Sequence, residues 1–345
     1  MKHWIVAIVN IHRGARGSLA LERKQKGLQQ RQLAVYCRRR GYEMEIPVHM
    51  QVVASQSGDS PEDLPATLHN GATANWKEKA KSDSMQPNLH SAGVWTRKVV
   101  LITGASEGIG ASCAKLFGQR GAKLSLTALP NEEFRSEEAA SRLVIPGDIT
   151  SKQTRIEVVE RTIGHFGRID VLINNAGAGQ YGYPTEVDTE ISKRIFDVNV
   201  FSALALTQLV VPHMRAQQSG SIVNIGSVGG KVSLPWAVMY CATKWALHCI
   251  DDSLRRELLG TGISVLKVCP GIVDTKFREH VLAGTAPGRV EDIRRVVSAD
   301  QVARAVIRGL ELGKRTVYVP KIGLIFTSLD FFAPRVMDWY LRSKF

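Results

Sequence analysis

The chain has 345 residues, 44% of them hydrophobic and 22% charged, with a formal net charge of +13. That length and composition can bury one large globular core, or one domain with an appendage. The positive excess brings a nucleic acid or an anionic membrane into view as a partner, but no stretch approaches the roughly 20 apolar residues that span a bilayer.

Five cysteines (Cys37, Cys113, Cys241, Cys249 and Cys269) stand without C-x-x-C or other paired spacing. An odd, scattered set in a chain this long fits a reducing compartment, with the thiols as small apolar fillers. Cys241 is read as packing, with a reactive thiol the lesser alternative. The nine histidines show no ligand spacing, so no metal is expected.

Residues 1–96 differ in character from 97–345. Residues 1–97 hold 14 Lys+Arg against 8 Asp+Glu, concentrated in "ERKQKGLQQRQ" and "CRRRG". No aromatic platforms interleave with these cations, so they read as a solvated extension and not as an RNA site. The opening "MKHWIVAIVNIHRGARG" has a short apolar run and no small-residue cleavage site, so the protein is read as unexported and cytoplasmic. "SQSGDSPEDLPATLHNGATANWKEKAKSDSMQP" lacks a period of 3.6 or 2 and is rich in turn-formers, which predicts loose structure. Met85 stands just ahead of the patterned region, and 1–84 are read as an extension or a mis-assigned start.

From Lys98 onward short apolar runs alternate with amphipathic stretches. The strand "KVVLIT" precedes a helix through "GASCAKLFGQRG". Strands "KLSLTA" and "RLVIPGD" follow, then a helix over "TRIEVVERTIGHFG" and the strand "DVLINNAG". A long helix through "ISKRIFDVNVFSALALTQLVVPHMRAQ" leads to the strand "SIVNIGS". The helix around "MYCATKWAL", the strand "ISVLKVCPG", a helix through "SADQVARAVIRGLELG" and the strand "TVYVP" complete the series. The pattern predicts an α/β fold, a doubly wound Rossmann-type arrangement whose mostly parallel seven-stranded sheet is covered by helices on both faces. The catalytic domain is placed at 97–320, followed by an amphipathic, aromatic-rich tail at 321–345.

Two patterns within this series point to chemistry. "TGASEGIG" sets Gly104, Gly108 and Gly110 between a strand and a helix, where a tight turn and a helix N-terminus suit a pyrophosphate. Tyr240 and Lys244 stand four apart, so a helix puts an ammonium beneath a phenol. Taken alone, the tyrosine–lysine pair reads better as a surface pair, while the glycine turn reads better as a ligand-binding turn than as an ordinary one.

"TGASEGIG", "GDIT", "NNAG", "DVNV", "SIVNIGS", "YCATK" and "CPGIVDT" occur in this order. Together they resemble the short-chain dehydrogenase/reductase family across roughly 97–320, including the thirteen-residue separation of Ser227 and Tyr240. The resemblance implies an NAD(P)(H)-dependent oxidoreductase that interconverts a ketone or aldehyde with an alcohol, as a reductase in the cell. Tyr240 would be the general acid/base, its phenol acidified from about 10 by Lys244 and the oxidised nicotinamide. Ser227 would polarise the carbonyl, and Asn199 would anchor a water in the proton relay. For the cofactor it implies Thr103, Gly104, Ser106, Gly108, Ile109 and Gly110 at the pyrophosphate turn, and Asp148 near the adenine. It further implies Asn175, Ala176 and Gly177 of "NNAG", Pro270, Gly271, Ile272 and Thr275 after "CPG", and Tyr240 and Lys244 at the nicotinamide ribose. Asn174 and Gly177 would shape the sheet and cleft more than the chemistry.

At the end of the second strand stand Ala128, Leu129 and Pro130, with no acid for the ribose hydroxyls; Arg135 follows Glu132 and Glu133. This favours NADP(H) over NAD(H), although Glu107 departs from the basic residue many NADP users carry. Tyr181, Trp236 and Phe277 suggest an apolar pocket, with core packing the equal alternative for any one of them, and the small-molecule carbonyl or alcohol substrate is expected to be lipophilic. The tail, with Arg335, Arg342 and Lys344 among its apolar residues, would rest at a membrane interface, over its own cleft or on a second subunit. By resemblance the protein is a homodimer or homotetramer. The rival readings are a sugar-nucleotide epimerase-like enzyme, disfavoured by the glycine spacing and "NNAG", and a cofactor-binding protein without turnover.

Overall fold

The computed structural model describes residues 32–39, 42–49, 93–131, 134, 137–279, 281–284 and 296–343. Met85, Glu132, Glu133, Arg135 and Lys344 lie outside these. The chain divides into Met1–Asp83 and Ser84–Phe345. In the first unit, β1 (Gln32–Arg39) and β2 (Tyr42–His49) pair antiparallel, Gln32 opposite His49 and Arg39 opposite Tyr42, where the sequence reading assigned no element.

In the second unit, β3 (Val99–Thr103) is followed by α1 (Gly108–Gly118), β4 (Lys123–Thr127), β5 (Glu137–Ala139), β6 (Arg142–Val144), α2 (Lys152–Phe166) and β7 (Val171–Asn174). Helix α3 (Thr189–Phe196) continues through a π turn (Asp197–Phe201) into α4 (Ser202–Ala216). Then come β8 (Gly220–Ile225), α5 (Val238–Glu257), β9 (Ile263–Pro270), the short pair β10 (Val273–Asp274) and β11 (Val297–Ser298), α6 (Ala299–Glu311) and β12 (Thr316–Val319). The tail forms α7 (Gly323–Phe332) and α8 (Pro334–Arg342), broken at Ala333 with proline opening α8.

The sheet order is β12-β9-β8-β7-β3-β4-β6-β5. All neighbours are parallel except β5 against β6. It has eight strands where the sequence reading counted seven. The eighth, β5, is three exposed residues at the sheet edge and carries no apolar period to read.

Period-two alternation divides the core between the two sheet faces. Val100 and Ile102 join Phe117 of α1 and Val302 and Val306 of α6 on one face. Leu101 and Leu172 join Val158 of α2 and Leu206, Val210 and Met214 of α4 on the other. The helical run Thr189–Ala216 is long enough to cross a bilayer and holds an 18-residue window of mean hydropathy 1.6. The sequence reading expected no stretch of this kind; Ala203, Leu206, Val210 and Met214 of the run are buried in the core.

After β3 the chain winds outward through β4 and β6; after β7 it winds the other way through β8, β9 and β12. The order therefore reverses between β3 and β7, and a crevice opens beyond their carboxyl ends.

Candidate active site

The crevice is a cavity of about 1480 Å³. At one end stands the glycine turn. Gly104 and Gly108 have φ of +61° and +55°, a left-handed backbone that favours glycine. A Cβ on Gly110 would lie 2.1 Å from the Gly104 carbonyl oxygen, so only glycine lets α1 approach the turn. Helix α1 begins at Gly108, and Glu107 at its N-cap makes no side-chain cap hydrogen bond, which leaves the first amides of the helix open to an anion.

Thr103 and Gly110 do not line the cavity, unlike Gly104, Ser106, Gly108 and Ile109. Thr103 is 2% exposed, and its hydroxyl accepts from the amides of Asn175 and Ala176, both at 3.0 Å. Asn175 Nδ2 returns hydrogen bonds to the carbonyls of Thr103 (3.0 Å) and Gly104 (2.8 Å). The "NNAG" turn is thus laced to the glycine turn. Asn174 points the other way, donating to Asn224 Oδ1 (2.8 Å) and Thr207 Oγ1 (3.3 Å) beneath the sheet. Asp148 also lines the cavity, and its Oδ1 accepts from the Thr150 amide and hydroxyl. Pro270, Gly271, Ile272 and Thr275 complete this end.

Tyr240, Lys244 and Ser227 meet on one wall. Ser227 follows β8 and caps a short 3₁₀ turn by accepting from the Gly229 amide at 2.9 Å, and it shares a hydrogen bond with Tyr240. Lys244 Nζ donates to the Ile225 carbonyl at 2.9 Å and stands 5.8 Å from the Tyr240 ring centroid. Burial pushes the Tyr240 phenol up to about 12 against the lowering effect of Ser227, and brings Lys244 down to about 8 against the charge of Asp251. With the protein's own groups, then, the phenol is raised: desolvation outweighs the Ser227 hydrogen bond, whereas the acidification the sequence reading expected also drew on the oxidised nicotinamide. Cys241 is also raised by burial and its Sγ accepts from the Leu234 amide at 3.4 Å, which is the behaviour of a packing thiol.

Asn199 is 1% exposed in the π turn. Its Oδ1 accepts from the Ala178 amide (2.7 Å), while Nδ2 donates to the Ala178 carbonyl (2.9 Å) and Thr243 Oγ1 (3.0 Å). It pins the segment after "NNAG" to α5, between Tyr240 and Lys244.

The remaining wall is apolar. Tyr181 and Trp236 are in ring contact at 5.2 Å and Phe277 meets Tyr240 at 5.7 Å. Phe326 of α7 and Met337, Tyr340 and Leu341 of α8 close it, with Phe326 and Tyr340 in contact at 5.5 Å. Sequence reasoning did not single out these tail residues, because amphipathicity marks a face and not what that face covers. It also missed buried His248 and Asp251, although His248 continues the four-residue step from Tyr240 and Lys244.

The family model described as short chain dehydrogenase matches residues 98–285. An uncharacterised oxidoreductase of Staphylococcus epidermidis is 36% identical over 218 residues, 62% of this chain and 90% of that protein. An 11-beta-hydroxysteroid dehydrogenase-like 3 of Arabidopsis thaliana is 32% identical, over 76% of this chain and 85% of the relative. Among solved structures, a short-chain dehydrogenase of Streptomyces avermitilis aligns with TM-score 0.60 at 29% identity, covering 71% of this chain and 97% of that one. A 3-ketoacyl-(acyl-carrier-protein) reductase of Brucella melitensis in complex with NADH aligns with TM-score 0.59 at 26% identity, covering 66% and 98%.

Proposed function

The chain belongs to the short-chain dehydrogenase/reductase family of oxidoreductases, and on that premise we propose that it reduces a lipophilic ketone or aldehyde to an alcohol, with NADP(H) preferred and Tyr240 as the acid. One observation carries this reading: the wall bearing Tyr240, Ser227 and Lys244 and the glycine turn at β3 belong to the same cavity.

The residues present fit a dinucleotide. Gly104 and Gly108 bring left-handed backbone without side chains to the cavity wall, and a helix start with no side-chain cap hydrogen bond faces it. When bound, the nicotinamide supplies hydride to the carbonyl carbon. The chain's own groups do the rest. Ser227 donates to the carbonyl oxygen and holds it beside the phenol. Tyr240 gives its proton to the developing alkoxide, a far stronger base than a phenolate. A phenol held near 12 by burial is protonated at neutral pH, so the acid is loaded for reduction and poorly prepared to act as a base. Lys244, at about 8, is an ammonium at pH 7; it stabilises the phenolate left behind and holds the nicotinamide ribose. Asn199 serves the relay by holding Ala178 and Thr243 in place.

No acid stands at Ala128, Leu129 or Pro130, which line the cavity, and this supports NADP(H). The aromatic wall, and a relative named for a hydroxysteroid dehydrogenase, support a bulky lipophilic carbonyl. The outer face of α7 and α8 exposes Ile325, Phe331, Phe332 and Trp339, flanked by exposed Lys321, Arg335 and Arg342. That combination supports a cytoplasmic protein resting on an anionic membrane, with the cavity beneath the docked face. Exposed Phe201 and Trp245, on helices next to Asn199 and Tyr240, support homodimerisation there.

NADPH and NADH titrated by nicotinamide fluorescence should differ in favour of NADPH; equal affinities remove the preference. A panel of aliphatic, steroid and acyl ketones should show nicotinamide oxidation fastest with bulky apolar members, and turnover confined to small polar carbonyls would refute the substrate class. Sedimentation with phosphatidylserine vesicles should fail for Phe331→Ser/Phe332→Ser/Trp339→Ser; unchanged sedimentation would refute the membrane face.

A further inference from the structure

Helix α5 carries more on its buried face than the two residues used above. Tyr240, Lys244, His248 and Asp251 succeed one another by four, four and three residues, one file along the helix. Lys244, His248 and Asp251 are 5%, 1% and 0% exposed. Each grips the segment 224–230, which carries Ser227. Lys244 holds the Ile225 carbonyl. His248 Nδ1 lies 3.0 Å from the Gly230 carbonyl oxygen. Asp251 Oδ1 accepts from Asn224 Nδ2.

The carboxyl of Asp251 is the odd member. Its Oδ2 is buried with no hydrogen-bond partner among the described residues, which is costly for a carboxylate. An amide would serve Asn224 equally well; what an amide lacks is charge. The charged and titratable groups it interacts with are Lys244, Asp252 and Arg255 on its own helix, and Lys267 and Cys269 on β9; His248 stands between it and Lys244 in the file. His248 is neutral, since burial and the charges of Lys267, Lys231 and Lys244 hold it down to about 3. Burial raises Asp251 to about 7 against the Asn224 hydrogen bond and the charges of Lys267 and Arg255. Asp251 is in turn the group that opposes the loss of charge on Lys244.

We propose that Asp251 is a positioning residue for the reaction: through Asn224 and its neighbour Ile225 it fixes the seat of the Lys244 ammonium, and its carboxylate keeps that ammonium charged. The proposal rests on the reading of Lys244 as the cofactor-holding cation. The full chain, its Asp251→Asn and Lys244→Met variants and the double variant are titrated with NADPH by fluorescence from about pH 6 to about pH 10, spanning the lysine transition. Wild-type affinity should weaken on the alkaline side as Lys244 loses its proton. In Asp251→Asn that weakening should begin about half a pH unit or more lower. In Lys244→Met the alkaline limb should be absent, and adding Asp251→Asn should shift nothing. Superposable limbs in wild type and Asp251→Asn, even with altered thermal stability, overturn the proposal, and so does a shift that persists without Lys244. Asp251→Leu, neutral and with the same number and branching of side-chain heavy atoms, replaces the asparagine variant if that fails to fold; failure of both marks a purely structural residue and also overturns it. If wild type binds neither NADPH nor NADH at any pH, the cofactor reading falls, and this proposal with it.

Discussion

Replacing His248 by glutamine should remove an acid-triggered loss of stability. In the folded chain the imidazole is 1% exposed, and burial together with the lysine charges holds its pKa down to about 3. In the unfolded chain it titrates at about 6.5. Between those values the folded state binds fewer protons than the unfolded one, so stability rises with pH across the window and is lost as pH falls below the unfolded value. One proton amounts to about 1.4 kcal/mol per pH unit, so descending from about pH 6.5 to about pH 5 withdraws about 2 kcal/mol. Glutamine can still donate to the Gly230 carbonyl, the bond His248 makes at 3.0 Å, and it has nothing to titrate. Urea unfolding of both proteins at about pH 7 and about pH 5, at one protein concentration, reads the difference. The variant should gain about 2 kcal/mol on wild type at the lower pH. A difference between the two proteins that is the same at both pH values refutes the reasoning.

Gly110→Ala would place a Cβ 2.1 Å from the Gly104 carbonyl oxygen, backbone that cannot step aside. It should cost about 1–3 kcal/mol in thermal unfolding and weaken NADPH binding by tenfold or more; unchanged affinity would show that the turn does not hold the cofactor. Thr103→Val removes the acceptor shared by the Asn175 and Ala176 amides. Leaving those donors unpaired should cost about 2 kcal/mol in urea unfolding, and a cost near zero would show that the hydroxyl is not the link between the two turns.

The sheet and its helices were legible because parallel strands buried on both faces read as apolar runs, as Val99–Thr103 does with all five residues buried. The edge strand Glu137–Ala139 was not, because three exposed residues leave no pattern. The site residues were legible through a helical step, for Tyr240 and Lys244, and through a strand-to-helix turn, for the glycines. Their protonation was not. How far desolvation raises Tyr240 against its Ser227 hydrogen bond depends on how closely the walls enclose the ring, and those walls come from segments far apart in sequence, such as Tyr181 and Phe277. The tail shows the same limit: its two faces are readable, but only the fold turns Phe326 and Tyr340 inward onto the cavity and leaves Phe331 and Trp339 outside.

The most direct test of the central claim is Tyr240→Phe, followed by nicotinamide oxidation with whichever panel ketone wild type reduces fastest and by NADPH titration on the same preparation. Loss of a positioned general acid should lower turnover about a thousandfold, with cofactor affinity nearly unchanged because Lys244 and the glycine turn are untouched. Turnover that survives the loss of the phenolic hydroxyl would contradict the account.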